Sequence, residues 1–154
     1  MQHYDLIAIG GGSGGLAVAE QAARYGRNVA IIDPQPLGGT CVNKGCVPKK
    51  LMWYAASLAH AVEDAGSFGI PARRGNTDWQ ALVASREQYI SNLNGYWECY
   101  VDNSGITHIR GKATFAGPHT VLVNGEQYSA DHMVLATGSH AIVPPLPGAA
   151  LGMT

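Results

Sequence analysis

The sequence predicts an α/β fold, a parallel sheet flanked by helices and joined to a small antiparallel β-meander, and three observations carry that prediction. A short apolar run enters a glycine-rich turn, a helix-forming stretch follows, and a second apolar run ends in an acid, all within residues 6–33. Two long stretches, 46–64 and 79–101, repeat apolar side chains at helical spacing. From Thr107 the period shortens to that of strands, punctuated by Gly111, Gly117-Pro118 and Asn124-Gly125.

Residues 6–9 are a continuous apolar run of the kind a strand buried on both faces shows. They feed Gly10-Gly11-Gly12-Ser13-Gly14-Gly15 and then a helix over 16–25, closed by Gly26 as its C-terminal cap. Residues 29–32 are the second strand and end in Asp33. The result is a strand–helix–strand unit with G-x-G-x-x-G at its first turn and an acid 18 positions after Gly15, near the usual ~20. In this Rossmann-like, FAD/NAD(P)-binding reading, Gly10, Gly12, Gly14 and Gly15 let the backbone approach a pyrophosphate. The helix N-terminus stabilises its charge, and Asp33 accepts from ribose hydroxyls. The unit by itself does not separate FAD from NAD, and an acid at 33 argues against a 2′-phosphate there.

The next stretch, Gly38-Gly39-Thr40-Cys41-Val42-Asn43-Lys44-Gly45-Cys46-Val47-Pro48-Lys49-Lys50, reads as a redox-active pair. In an ideal helix, residues five apart have Cα atoms roughly 8.6 Å apart. A disulfide needs less than about 7 Å. Cys41 and Cys46 therefore pair only if the segment between them leaves the regular helix, and Gly45 supplies that latitude. Val47-Pro48 starts a new helix, with proline in the first turn where its missing N–H costs nothing. Cys46 then lies at the positive end of a helix dipole, with Lys49 and Lys50 nearby, surroundings that favour thiolate over thiol. Ordinary buried thiols, or half of a metal site, are the alternatives the spacing leaves open. Only Cys99 remains beside the pair, and no two of the six histidines form a tight ligand pattern.

The helix from Cys46 is expected to run to about Asp64, with Leu51, Tyr54, Ala55, Leu58, Ala59 and Val62 as its stripe. Residues 66–76 form a loop, and Thr77-Asp78-Trp79-Gln80 has the form of a capping box opening the next helix, whose stripe from Trp79 to Val101 is mostly a packing face. Strands are expected at 106–110, 113–116, 120–123, 127–129 and 133–136, with Asn124-Gly125 as a hairpin turn. Pro144, Pro145 and Pro147 mark an extended exit.

With 154 residues, the chain fits one domain with a real core. A net charge of −1 argues against a broad nucleic-acid footprint and against a polybasic membrane patch. No apolar run approaches the 18 or so residues of a membrane span. The N-terminus lacks the basic start of a signal peptide, so a reducing cytoplasm is the expected compartment.

The glycine turn, the segment from Gly38 to Lys50, and Leu135-Ala136-Thr137-Gly138 together closely resemble the flavoprotein disulfide reductases, the class I pyridine nucleotide-disulfide oxidoreductases. Val47-Pro48-Lys49-Lys50-Leu51-Met52-Trp53 is most similar to the glutathione reductase group. The resemblance covers the whole chain. It implies that NADPH reduces FAD and that FAD reduces a Cys41–Cys46 disulfide, with glutathione disulfide as the final acceptor. Cys46 resembles the flavin-side cysteine, in charge-transfer contact as the thiolate, and Cys41 resembles the interchange cysteine that attacks the substrate. It implies FAD contacts from Ser13, Gly14, Asp33, Thr40, Cys41, Lys49 and Ala113, with Thr137 and Gly138 near the cofactor and Lys49 close to the flavin ring. Ser13 and Trp97 fall at substrate-side positions.

Three positions depart from the pattern. The basic residue that holds a substrate carboxylate in that group falls at Glu20 or Gln21, its substrate-side tyrosine falls at Trp97, one place after Tyr96, and Lys44 stands where an apolar residue is frequent. Another low-molecular-weight disulfide is therefore an alternative substrate. Family members are also much longer, with NADPH and dimer-interface domains that supply a general acid. On that comparison, residues 1–154 are expected to be the N-terminal part of an FAD-binding domain, homodimeric when complete and inactive alone. A stand-alone flavin-binding module with a redox-sensing thiol pair is the competing expectation.

Overall fold

A computed structural model describes residues 1–152. The elements run β1 (Gln2–Ile9), α1 (Ser13–Arg24), β2 (Val29–Asp33), α2 (Gly39–Asn43), α3 (Cys46–Asp64), a 3-10 turn (Ala65–Phe68), α4 (Trp79–Asn103), β3 (Ile106–Arg110), β4 (Thr114–Gly117), β5 (Thr120–Val123), β6 (Glu126–Leu135) and a final 3-10 turn (Ala149–Leu151). Six strands form one sheet in the order β3-β2-β1-β6-β5-β4. The first three pairings are parallel and the last two antiparallel. This is the expected α/β fold with its meander.

The apolar runs form strands because both faces of the sheet are covered. Successive side chains point to opposite faces. Ile7, Ile9, Ala30 and Ile32 enter one core cluster with Tyr4, Val121, Val123 and Ala130. Ala8, Val29 and Ile31 enter the other, with Leu16 and Ala19 of α1, Leu37, Val101 of α4 and Ile106. Ile7 and Ile31 are fully buried, each worth about 1.5–3 kcal/mol over an exposed position. Helix α1 stops at Arg24, where Gly26 at φ +73° lets its N–H return to the Ala23 carbonyl at 2.8 Å. Asn124 and Gly125, both left-handed at φ +52° and +88°, make the tight turn between β5 and β6.

Some boundaries differ from expectation. Residues 127–129 and 133–136 are not two strands. β6 is one ten-residue strand whose first part pairs with β5 while nearly all of it lies beside β1. Helix α4 is capped by Asp78, whose Oδ1 accepts from Ala81 N at 2.9 Å, and not by Thr77. An aspartate one residue on competes for the same orphan N–H groups and starts the helix later. The expected loop opens with the 3-10 turn Ala65–Phe68. The stripe of α3 is only partly covered: Leu51, Ala55, Ala59 and Val62 are half-buried, none is fully buried, and Tyr54 and Leu58 are 52% and 69% exposed. The helix packs mainly on α2 and α4 and not on the sheet.

Helix α4 is tied to the edge strand β3 through one carboxylate. Glu98 Oε1 accepts from Arg110 Nη2 at 2.6 Å, and its Oε2 lies 3.0 Å from His108 Nδ1. Burial pushes the Glu98 carboxyl up, but the hydrogen bonds from His108 and Arg110 together outweigh it and hold the group below the usual carboxylate range. A depressed carboxyl contributes stability that is present above its unfolded-state pKa and is lost as pH falls through the folded value. Thermal melts should therefore show Glu98→Gln less stable than wild type at pH 7, with the gap closing toward pH 3. A gap that stays constant with pH would show that the carboxylate charge is not what ties α4 to β3.

Candidate functional site

The glycine turn follows β1 directly, and its glycines fall into two kinds. Gly10 adopts φ +114°, and a Cβ there would stand 2.2 Å from the Ala136 carbonyl oxygen. A Cβ on Gly15 would stand 1.8 Å from the Gly10 carbonyl oxygen, so helix and turn meet only because Gly15 has no side chain. Gly12 and Gly14 are different. A Cβ on Gly12 would meet nothing closer than Gly39 Cα at 3.7 Å, and one on Gly14 nothing closer than Ala136 Cβ at 3.8 Å. The protein's own packing does not demand glycine at these two places. They bare backbone at the N-terminus of α1, where Ser13 is exposed, and a pyrophosphate fits that surface.

Asp33 stands at the end of β2. Its Oδ2 accepts from Gly11 N at 2.6 Å and its Oδ1 from Gln35 N at 2.7 Å. Each oxygen keeps a further lone pair for a ribose hydroxyl. Beside it opens a cleft of about 400 Å³ at the C-terminal ends of β1, β2, β3 and β6. Ligands of open α/β sheets bind at that end. Of the expected cofactor residues, Gly10, Asp33, Thr40, Ala113 and Thr137 line the cleft together. Gly138 lies just beyond, at φ +73°, with open space around it. Asn43, Lys44 and Lys112 also line the cleft and were not expected there.

Helix α2 carries Cys41 and is docked on the glycine turn. Gly38 N donates to the Gly11 carbonyl at 2.9 Å, and a Cβ on Gly39 would stand 2.7 Å from Gly12 Cα. Asn43 Nδ2 donates back to the Gly39 carbonyl at 2.9 Å and reaches the Leu37 carbonyl at 3.3 Å, holding the loop against the helix. The helix ends at Asn43, Gly45 breaks the path at φ −120°, ψ −103°, and α3 begins at Cys46. The break thus falls between the two cysteines, with Cys46 as the first residue of α3 and Pro48 in its first turn.

Both cysteines are free thiols, Cys41 half-buried and Cys46 exposed. The hydrogen bond with the Cys46 side chain, aided by desolvation, holds the Cys41 thiol above its ordinary value, and the charge of Lys49 opposes this. Lys50 does not share that role, because its ammonium lies over the rings of Trp53 and Tyr54, 4.8 and 5.2 Å from their centroids. A raised thiol pKa means less thiolate at neutral pH. Alkylation of Cys41 is therefore expected to accelerate only above the pH range of an ordinary cysteine, and in Cys46→Ala its profile should shift down. An unchanged profile would show that Cys46 does not govern Cys41.

A model of the pyridine nucleotide-disulphide oxidoreductase family matches residues 4–154. The chain belongs to that family. It is 40% identical over 156 residues to a glutathione reductase of Burkholderia cepacia, covering 100% of this chain and 35% of that protein. With the glutathione reductase of Yarrowia lipolytica it shares 41% over 165 residues, 98% of this chain and 35% of that one. With that of Schizosaccharomyces pombe it shares 43% over 159 residues, 97% and 34%. The chain spans about a third of the length of these curated relatives. Flavin and a pyridine nucleotide are the cofactors that the family implies.

In this member of the pyridine nucleotide-disulphide oxidoreductases, the expected substrate-side residues are not gathered at the cleft. Trp97 is half-buried and packs against the core cluster of Leu16, Val101 and Ile106. It stands edge-on to Tyr96 and Tyr100, each 5.7 Å away between ring centroids. Glu20 forms an ion pair with Arg24, and its hydrogen bond to the Tyr100 hydroxyl pushes that phenol up. Among the described residues no cluster of His, Cys, Asp and Glu could hold a metal ion, and no helix is long and apolar enough to cross a membrane.

Proposed function

We propose that residues 1–154 are the FAD-binding part of an NADPH-dependent glutathione-disulfide reductase, carrying its redox-active thiol pair. The observation that carries this reading is the docking of α2. The same five-residue helix that presents Cys41 is packed on the glycine turn and lines the dinucleotide cleft through Thr40. A cofactor held at the cleft and turn would then lie beside the helix that carries Cys41.

Gly10, Gly12, Ser13, Gly14 and Gly15 would hold the diphosphate of FAD, Asp33 its ribose, Ala113 its adenosine end, and Thr40, Thr137 and Gly138 the adjoining stretch. Bound FAD supplies the electron pair delivered by NADPH, and the remaining steps are thiol chemistry of this chain. The Cys41–Cys46 disulfide takes up two electrons and two protons and becomes a dithiol. Cys41, as thiolate, attacks one sulfur of glutathione disulfide, releasing one glutathione and forming a mixed disulfide. Cys46 then attacks the Cys41 sulfur, releasing the second glutathione and restoring the internal disulfide. Lys49, in the first turn of α3, favours negative charge on Cys41 and would do so on a reduced flavin. The raised Cys41 thiol calls for a base or acid partner, which in the complete homodimer lies outside residues 1–154. Working as a cycled pair, the thiols belong in a reducing compartment such as the cytoplasm.

The test is a stoichiometry. The reduced chain is mixed with glutathione disulfide, and released glutathione and chain thiols are counted. Two glutathiones released per chain, with Cys41 joined to Cys46, is the expected result. A stable adduct on Cys99, or no internal disulfide, would contradict the assignment. Repeating the exchange with carboxyl-esterified glutathione disulfide tests the Glu20 departure: a rate equal to or above that of the free acid would favour a different low-molecular-weight disulfide.

A further inference from the structure

We propose that Lys44 and Lys112 are affinity-determining residues of the cleft, acting through their ammonium charge on the diphosphate of an adenosine-containing ligand. The inference rests on the FAD reading above and assigns to that site two cations which the sequence pattern does not supply.

The cleft lining contains three charged side chains, Asp33, Lys44 and Lys112. The Asp33 carboxylate is already engaged, since each of its oxygens accepts a backbone N–H. Neither lysine is in an ion pair among the described residues. The two approach from different elements. Lys44 is the C-terminal cap of α2, its N–H donating to the Thr40 carbonyl at 2.9 Å, and Lys112 lies in the link between β3 and β4. Much of the remaining wall is apolar, from Ile9, Ile32, Pro34, Pro36 and Ala113. Both lysines are exposed at the cleft, so they present cationic charge to whatever enters it, screened by solvent and salt. The cleft thus carries a net charge of +1, two lysines against one aspartate, close to the bare N-terminus of α1. That combination suits a diphosphate better than a neutral nucleoside. Lys44 is also where this chain departs from the apolar residue frequent in the glutathione reductase group.

The experiment is calorimetric titration of the chain with ADP, adenosine and FAD, for wild type, Lys44→Met, Lys112→Met and Lys44→Arg. Methionine keeps an unbranched stem and removes the charge. At low ionic strength each methionine variant should bind ADP about two- to five-fold more weakly, the range of a single exposed charge contact. Adenosine affinity should be unchanged and Lys44→Arg should stay near wild type. In about 1 M salt, where the screening length is about 3 Å, the gap should narrow. If wild type binds FAD but the methionine variants match it for ADP, or lose ADP and adenosine alike, the inference fails and the FAD reading stands. If wild type binds neither FAD nor ADP, both are overturned.

Discussion

Cys46→Ser is expected to turn a reversible exchange into a trap. Mixed with glutathione disulfide, the reduced variant should release one glutathione per chain and keep one glutathionyl group on Cys41, whereas wild type should release two and close its own disulfide. The reason is proximity: Cys41 lies in α2 and Cys46 opens α3 directly after the break at Gly45, close enough that Cys46 is the main influence on the Cys41 thiol. An aligned intramolecular nucleophile acts at an effective concentration that reaches on the order of 10⁵ M in well-oriented cases, so removing it leaves the mixed disulfide standing. Because the thiolate is the attacking species, trapping should quicken as pH rises. Intact-mass and peptide-mapping measurements read the outcome. An adduct on Cys46 in Cys41→Ser that forms as fast as the adduct on Cys41 in Cys46→Ser would reverse the assigned roles, a real alternative given that Cys46 is the more exposed of the two.

Two glycines three positions apart should fail in opposite ways. Gly15→Ala drives a Cβ to 1.8 Å from the Gly10 carbonyl oxygen, and backbone on both sides must move. The expected cost is about 3 kcal/mol, read as a fall of roughly 10 °C in melting temperature for a chain of this size. Gly12→Ala meets no atom of the protein closer than 3.7 Å, at a backbone φ of −83° that alanine adopts freely. It should melt within a few degrees of wild type yet bind FAD about 100-fold more weakly, about 3 kcal/mol, because its methyl group stands where the diphosphate must approach. Equal FAD affinity in wild type and Gly12→Ala would remove the glycine turn from the cofactor site.

What could be read from sequence was what local periodicity and turn chemistry dictate. The strand–turn–helix–strand unit from Leu6 to Asp33, the break at Gly45 and the Asn124-Gly125 turn all follow from patterns confined to a few residues, and the structure forms each of them. Long-range arrangement was less legible. Nothing local says that residues 127–129 and 133–136 join into one strand, since that is decided by β5 pairing with its first part and β1 running alongside. The α3 stripe gave the extent of the helix but not its cover, because helical spacing records amphipathicity and not what lies opposite. The cleft was half visible. Gly10, Asp33, Thr40, Ala113 and Thr137 sit at recognisable motif positions, while Lys112 reaches the cleft only because β3 runs beside β2 and delivers the following loop there. Asn43 and Lys44 had a signal, their place between the two cysteines, but a motif does not say which of its side chains turn toward the cleft.

The absorption spectrum of the FAD-reconstituted chain, before and after dithiol reduction and beside Cys46→Ser, tests the central claim most directly. A long-wavelength band that appears in wild type on reduction and is missing in the variant is the predicted result, because it requires the Cys46 thiolate to stand against the flavin. Bound flavin with no such band in wild type would contradict the claim and leave a flavin-binding module whose thiols serve another purpose.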